Sequence, residues 1–482
     1  MMKNLFTVRL VGLILGPILF ILTLAFLHPK GMSEEARAVL AGTLWVACWW
    51  ITEAIPIAAT SLLPIVLFPL SGGLALRDTS EAFGHPLIFL FLGGFLIAAA
   101  IEKWHLHKRI ALNIIHLVGS EATRLVLGFM LATALLSMFI SNTATAVMMM
   151  PIGVAVAVQV GRQGQRQAGF EKALMLGIAY AASIGGVATI IGTPPNLVLV
   201  GVLEELYHTQ ISFLKWMLVG LPISLLLLFF CWFYLVRLAF PLHRTSLPGS
   251  NEEIERQLRA LGPITFEEKW VLAVFILTAL AWISRPFLLA PLLPAADDTI
   301  IALAGAMLLF VIPSRKEGVT NNGRLLDWAS AVRIPWGIIL LFGGGLALAE
   351  GFKSTGLAEW LGQQLGMLQG LPMLVLLFAV VLAVNFLTEV TSNVATASMI
   401  LPILASIAEG IGAPPLLLMI GATFAASCAF MLPVATPPNA VVFGSGYLSI
   451  PTMVRTGFWM NLVSSILVTL VAYFLLPLVW GG

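Results

Sequence analysis

The chain is poor in charge. Only 10% of its 482 residues are Asp, Glu, Lys or Arg, and the net charge is +2. So little charge, spread over separate loops, leaves no basic face for a nucleic acid. Cysteine is scarcer still: Cys48, Cys231 and Cys428 stand alone inside apolar runs. That spacing excludes a disulfide framework and a cysteine metal site, and each reads as a small buried hydrophobe. The apolar segments hold neither a plausible Ser/His pair nor a His-rich helix, so the activated nucleophile or metal ligands of a membrane enzyme are missing and no catalytic residue is assigned. Gly93-Gly94 and Gly343-Gly344-Gly345 lack the strand-to-helix setting of a nucleotide loop and read as close helix packing. His105-Leu106-His107 lies in a basic segment and reads as solvated rather than metal-bound.

What the chain has in abundance is apolar sequence. With 59% hydrophobic residues and a mean hydropathy of +1.00, it exceeds what a soluble core can use and must be an all-α, polytopic membrane protein. A bilayer core asks for about 20 apolar residues per helix. That length predicts spans near 9–27, 36–51, 54–71, 85–102, 171–203, 213–236, 266–284, 297–313, 335–352, 415–446 and 456–479, eleven in all. The first lacks a small-x-small cleavage site before His28-Pro29-Lys30 and is expected to be retained. Pro56, Pro64 and Pro69 read as simple kinks, and Glu53 and Glu389 as the ionisable residues within the membrane.

Two further apolar segments, about 123–160 and 371–409, are too long for one helix. Ser141-Asn142-Thr143-Ala144-Thr145-Ala146, running on to Pro151-Ile152, returns as Ser392-Asn393-Val394-Ala395-Thr396-Ala397, running on to Pro402-Ile403, with 8 of 12 positions identical. Thr-Pro-Pro-Asn follows each copy, at 193–196 and 436–439. A polar motif at mid-segment suits the tip of a re-entrant helix hairpin, where protein or a cavity covers the non-helical backbone. The order of parts is the same in both halves: residues 81–239 form one repeat, 266–482 the other, 1–80 an N-terminal scaffold and 240–265 a cytoplasmic linker with a short charged helix at 251–259.

Loop charges orient this layout. With the N-terminus inside, 19 of the 25 Lys and Arg fall on the cytoplasmic side, among them Lys3, Lys103, Arg166, Arg244, Lys316 and Arg333. The C-terminus is then outside. The first hairpin enters from the cytoplasm and the second from outside, so the repeats are inverted, in the plasma (inner) membrane.

Mid-membrane polar atoms bring function in. Two consecutive prolines cannot donate N–H bonds and disfavour helix in the residue before each, so the Gly192-Thr193-Pro194-Pro195-Asn196 break frees carbonyls. Those carbonyls, with oxygens of Ser137, Ser141 and Asn142, make a neutral oxygen cage suited to a small hard cation. Helix N-termini at the hairpin tips, with Asn142, Thr143 and Asn393, can receive a carboxylate without an arginine. A lone Ser-Asn-Thr more often bonds back to its own helix or glues helices together; its duplication favours a site. For Glu389, three residues before Ser392, a hairpin-orienting hydrogen bond and proton carriage stay open.

These motifs, with Thr52-Glu53-Ala54-Ile55-Pro56-Ile57 and the run Ala425 to Phe443, resemble over nearly the whole chain the divalent anion/sodium symporter family, which transports dicarboxylates, citrate or sulfate. The resemblance implies a homodimer of scaffold and sliding transport (elevator) domains. It implies one sodium site at Ser137, Ser141, Asn142 and Gly192 and a second at Thr388, Thr391, Asn393 and Ala435. It places substrate carboxylates at Ser141-Asn142-Thr143 and Ser392-Asn393-Val394, with Thr193-Pro194 and Thr436-Pro437 lining the same pocket. Val394 stands where many relatives have Thr, removing one hydroxyl donor and leaving substrate size open. The expectation is sodium-coupled symport of a C4 dicarboxylate; a sodium-independent exchanger on the same fold, citrate or sulfate as substrate, and a passive channel are the alternatives.

Overall fold

The computed structural model describes residues 2–162, 168–242, 247, 249–315, 323–364 and 370–480. Arg166, Arg244 and Lys316, counted above on the inner side, lie outside these, as does part of the 240–265 linker. Among the described residues, regular structure is helical throughout, with one isolated bridge pair, Pro313 and Arg324. Nine helices among the described residues are long and apolar enough to cross a bilayer, and five more are apolar but shorter. The outer helices Thr7–Phe26 and Phe266–Leu292 bury little of their surface, which fits side chains that meet lipid.

Local rules set the helix ends. Ser33 accepts from Ala36 N, and Ser212 from Lys215 N. Thr265 and Glu268 form a reciprocal capping box, and Arg109 grips the same Glu268 carboxylate at 2.8 Å. Glycines allow close packing where they were expected to: a Cβ on Gly93 would lie 2.6 Å from the Ala302 side chain, so helix Pro86–Lys103 meets Asp298–Val311 at backbone distance.

Both long segments are helix, break, helix. The first is Ala122–Ser137 and Asn142–Arg162, the second Met373–Leu387 and Asn393–Ile411. Behind each comes a second interrupted helix: Ala168–Val187 then Pro194–Tyr207, and Pro415–Ala426 then Pro437–Phe443. The halves are crossed. Pro437–Phe443 packs on Asn142–Arg162, and Pro194–Tyr207 packs on Asn393–Ile411, so each post-proline helix lies against the other half's hairpin.

Several expectations need correction. The segment 54–71 is not one kinked span. It is Ile57–Thr60 followed by Leu63–Ser71, because Pro56 and Pro64 sit at helix starts where the missing N–H costs nothing, and only Pro69 is interior. Part of the basic segment 103–124 is an amphipathic helix, Leu106–Val118, packed on the first hairpin arm. His107 is not solvated: it is 6% exposed, its Nδ1 lies 3.1 Å from Ile101 O, and burial pushes its ring down to about 4. Glu53 caps helix Glu34–Thr52 in a left-handed conformation, half-exposed, and pairs with Arg9 at 3.1 Å.

Candidate functional site

The two hairpin tips carry the same hydrogen bonds. In the first, Ser137 Oγ lies 2.7 Å from Asn142 Oδ1 and donates to Ala182 O at 2.6 Å. In the second, Thr388 Oγ1 donates to Asn393 Oδ1 at 2.8 Å and to Ala426 O at 3.0 Å. The hydroxyl at the end of one arm thus ties the first residue of the other arm to a carbonyl of the broken helix behind it. The Asn142 carboxamide is satisfied when turned: its Nδ2 then donates to Ser137 Oγ at 2.7 Å, Ala182 O at 3.1 Å and Gly192 O at 3.3 Å. What surrounds Asn142 is therefore a set of oxygens, answerable by an amide N–H or by a small cation. Room for it depends on glycine. A Cβ on Gly186 would lie 2.5 Å from Asn142 Oδ1, and one on Gly192 would lie 2.5 Å from Gly186 O.

Of the residues assigned to the first cation set, Ser137, Asn142 and Gly192 come together. Ser141 caps the second arm instead, its Oγ accepting from Ala144 N at 3.3 Å and its carbonyl from Thr145 N at 3.0 Å. In the second set Thr388 and Asn393 come together. The Thr391 hydroxyl is engaged by Leu387 O at 2.9 Å and Thr396 Oγ1 at 2.6 Å, while Ala435 sits one turn past Leu432, its N–H donating to Leu432 O at 3.2 Å.

The substrate set divides between two cavities. Ser141 and Thr143 line a cavity of about 750 Å³ that also takes in Glu102, Lys103, His105, Ser330 and Arg333. Pro194 and Val394 line a small apolar pocket with Ile88, Phe91, Ile339 and Phe342, and Ile338 lines both. Ser392, Asn393, Thr436 and Pro437 line neither of these cavities. Thr193 and Thr436 each begin a post-proline helix in extended backbone, and the Thr436 hydroxyl accepts from Asn439 N.

The large cavity and an ionic cluster lie at opposite ends of the same helices. Ile338, on the cavity, and Lys353 are fifteen residues apart in helix Trp336–Ser354, about 22 Å along the axis. Lys353 Nζ donates to the main-chain carbonyl of Glu205 and lies 3.6 Å from its carboxylate, while His85 lies 3.8 Å from Glu204. At the cavity end, Lys103 binds Asp327 at 2.7 Å, and that bond holds the Asp327 carboxyl below its ordinary range.

Three groups outside the assigned sets organise the breaks. Asn196 Nδ2 donates to Thr189 O at 2.7 Å and Gly186 O at 3.1 Å; Asn439 Nδ2 donates to Leu432 O at 3.1 Å and Ala429 O at 3.2 Å. The signal was the last letter of the duplicated Thr-Pro-Pro-Asn. Glu389, 2% exposed, accepts from Phe430 N, Met431 N, Leu432 N and Asn461 Nδ2. These contacts tie the hairpin to the backbone turn at 430–432.

The transmembrane region of sodium:sulfate symporters matches residues 7–480. Sodium-dependent dicarboxylate transporter SdcS of Staphylococcus saprophyticus is 48% identical over 98% of this chain and 92% of its own length, and that of Staphylococcus aureus strain RF122 is 50% identical over the same shares. Among solved structures, the YdaH transporter of Alcanivorax borkumensis superposes with a TM-score of 0.57 at 15% identity, covering 82% of this chain and 88% of that one. MtrF of Neisseria gonorrhoeae gives 0.57 at 13% identity over 97% of both chains, a likeness of fold alone. The chain belongs to the sodium:sulfate symporter family of divalent anion/sodium symporters, whose members are transporters and not enzymes.

Proposed function

We propose that the protein imports C4 dicarboxylates such as succinate, malate or fumarate together with sodium, moving both hairpins as a transport domain past a scaffold in an elevator cycle. The observation that carries this reading is the duplicated cluster: hydroxyl, asparagine amide and a carbonyl of the broken helix at Ser137, Asn142 and Ala182, and again at Thr388, Asn393 and Ala426. Neutral oxygens converging at a break in a membrane helix suit a sodium ion, and two clusters give at least two sites. The names of the staphylococcal relatives supply the substrate class.

The substrate is a dianion, and bringing it uncompensated into low dielectric is costly. Sodium bound first at the two clusters supplies compensating charge and fixes the tips. The helices that start at Asn142 and Asn393 then offer first-turn N–H groups to the carboxylates, with the hydroxyls of Ser141, Thr143 and Ser392 beside them. Val394 and Pro194 offer apolar surface to the methylene chain.

With the N-terminus cytoplasmic and the C-terminus outside, the large cavity at Lys103 and Arg333 opens inward and the Glu205–Lys353 cluster closes the outer end. This is an inward-facing arrangement of the inverted repeats, in the plasma membrane and expected in a homodimer. Uptake of radiolabelled succinate into proteoliposomes tests the reading. An inward sodium gradient should drive accumulation and an equal potassium gradient should not. Uptake that needs only internal unlabelled succinate would make the protein an exchanger, and competition by citrate or sulfate in place of succinate would move the substrate class.

A further inference from the structure

The two halves are tied at the same point by opposite chemistry. Aligning Ser141 with Ser392 puts Met138 of the first hairpin opposite Glu389 of the second, and aligning the two Thr-Pro-Pro-Asn motifs puts Thr189 opposite Leu432. In the first half the tie is neutral: the Thr189 hydroxyl donates to the Met138 carbonyl. In the second half the break again donates, but to a charged acceptor: the Leu432 N–H bonds the Glu389 carboxylate at 3.0 Å. Thr189 has a hydroxyl to reach the hairpin; Leu432 has only its backbone, so the hairpin must bring the acceptor.

Glu389 brings more than one. Its Oε1 accepts from Phe430 N at 2.7 Å, Met431 N at 2.9 Å and Asn461 Nδ2 at 2.7 Å, while Oε2 takes Leu432 N. Four donors and no acceptor face this carboxyl, an arrangement that calls for the ionised form. The segment it holds is fixed from its other side as well, because Tyr180 of the first half donates to Phe430 O at 2.8 Å. Leu432 O in turn accepts from Ala435 N and Asn439 Nδ2. The carboxylate therefore joins Thr388, its neighbour in sequence, to the turn that ends at Ala435. Those are the two sides of the second cation set.

We propose that Glu389 is a positioning residue for the second cation site, and that its fixed negative charge, for which the first half has no counterpart, makes that site the stronger of the two for sodium. The inference rests on the reading of the Thr388–Asn393 cluster as a sodium site. A buried carboxylate beside a neutral oxygen cage lowers the cost of holding a cation there. The first cage, tied by Thr189, relies on neutral dipoles.

The test is a sodium titration of Glu389→Gln in detergent, read as the shift in melting temperature with sodium chloride against choline chloride, alongside sodium-dependent succinate uptake in proteoliposomes. The glutamine keeps the size and one acceptor but loses the charge. The expected result is a rise of about tenfold in the half-saturating sodium concentration for both readouts, the equivalent of one lost favourable charge contact, with a succinate KM at saturating sodium close to that of the parent. If Glu389→Gln does not yield folded protein, Glu389→Asp keeps the charge and shortens the arm by one methylene, and a several-fold rise in the same concentration is expected. An unchanged sodium midpoint in either folded variant would overturn the proposal, as would a melting temperature lowered equally in sodium and choline, which marks a structural role only. Failure of the underlying reading looks different: the parent protein itself would show no sodium-specific stabilisation and no sodium-dependent uptake.

Discussion

Asn196 and Asn439 perform the same act on two different breaks. Each sends its side-chain amide back seven residues, to Thr189 O at 2.7 Å and to Leu432 O at 3.1 Å, stapling the break across the prolines just before it. Both are fully buried. Thr189 O and Leu432 O also accept from Gly192 N and Ala435 N, so replacing either asparagine by alanine strands one buried carbonyl, Gly186 O or Ala429 O, at a cost of about 1–3 kcal/mol, and removes the second donor of another. Asn196→Ala and Asn439→Ala are therefore expected to lower the melting temperature in detergent by several degrees with or without sodium. A variant that melts with the parent protein would show that the breaks hold their shape without this staple.

Asn142 and Asn393 should behave differently. Each sits at the first position of a hairpin's second arm, half-buried, with its amide oxygen against a hydroxyl and a helix-break carbonyl nearby. They are assigned both a cation and an anion contact, so Asn142→Ala and Asn393→Ala should each abolish sodium-driven succinate uptake while the protein stays monodisperse and melts within a few degrees of the parent. Normal transport by either folded variant would remove that residue from the site.

His107 gives a pH prediction whose sign follows from burial. Its folded value of about 4 lies below the ordinary value of 6.5, so the folded protein keeps the ring neutral while the unfolded chain takes up a proton as pH falls through 6.5. Stability is thus intact above about pH 6.5 and declines between there and about pH 4. A difference of about 2.5 pH units corresponds to at most about 3 kcal/mol. Melting temperatures measured from pH 7.5 to 5 should fall less steeply in His107→Gln than in the parent. Parallel curves would mean that His107 is charged in the folded protein.

Much of this site was legible because it occurs twice. A single Ser-Asn-Thr is consistent with ordinary helix packing, whereas the repeat of Ser141-Asn142 as Ser392-Asn393, each with Thr-Pro-Pro-Asn behind it, gave both hairpin tips and both breaks. Features without a duplicate, or with an altered one, stayed hidden. Helix Leu106–Val118 mixes Lys108 and Arg109 with apolar residues and is too short for a spanning length, so it read as loop. Glu53 is flanked by apolar residues, and its pairing with Arg9 is a contact between two helices that no spacing reveals. Glu389 has its donors 41 to 72 residues away, and its counterpart in the first half is a methionine. Periodicity and turn chemistry report on neighbours in sequence; these contacts are made by the fold.

The Glu205–Lys353 tie supplies the last prediction. It joins the helix behind the first break to the helix that lines the cavity about 22 Å away. If the two ends open alternately, the tie must break for the outer end to open, and its strength biases the resting population. A half-buried pair of this kind is worth about 1 kcal/mol, a factor of about 5 in a two-state equilibrium. Lys353→Met should shift the population away from the arrangement seen here by that factor. Val147, exposed on the large cavity, is a suitable reporter. In a Val147→Cys background, alkylation by a membrane-impermeant maleimide from the cavity side should slow severalfold when Lys353→Met is added, and outside-directed succinate binding should tighten. An unchanged labelling rate would mean that the cluster holds two helices together in both arrangements and takes no part in switching between them.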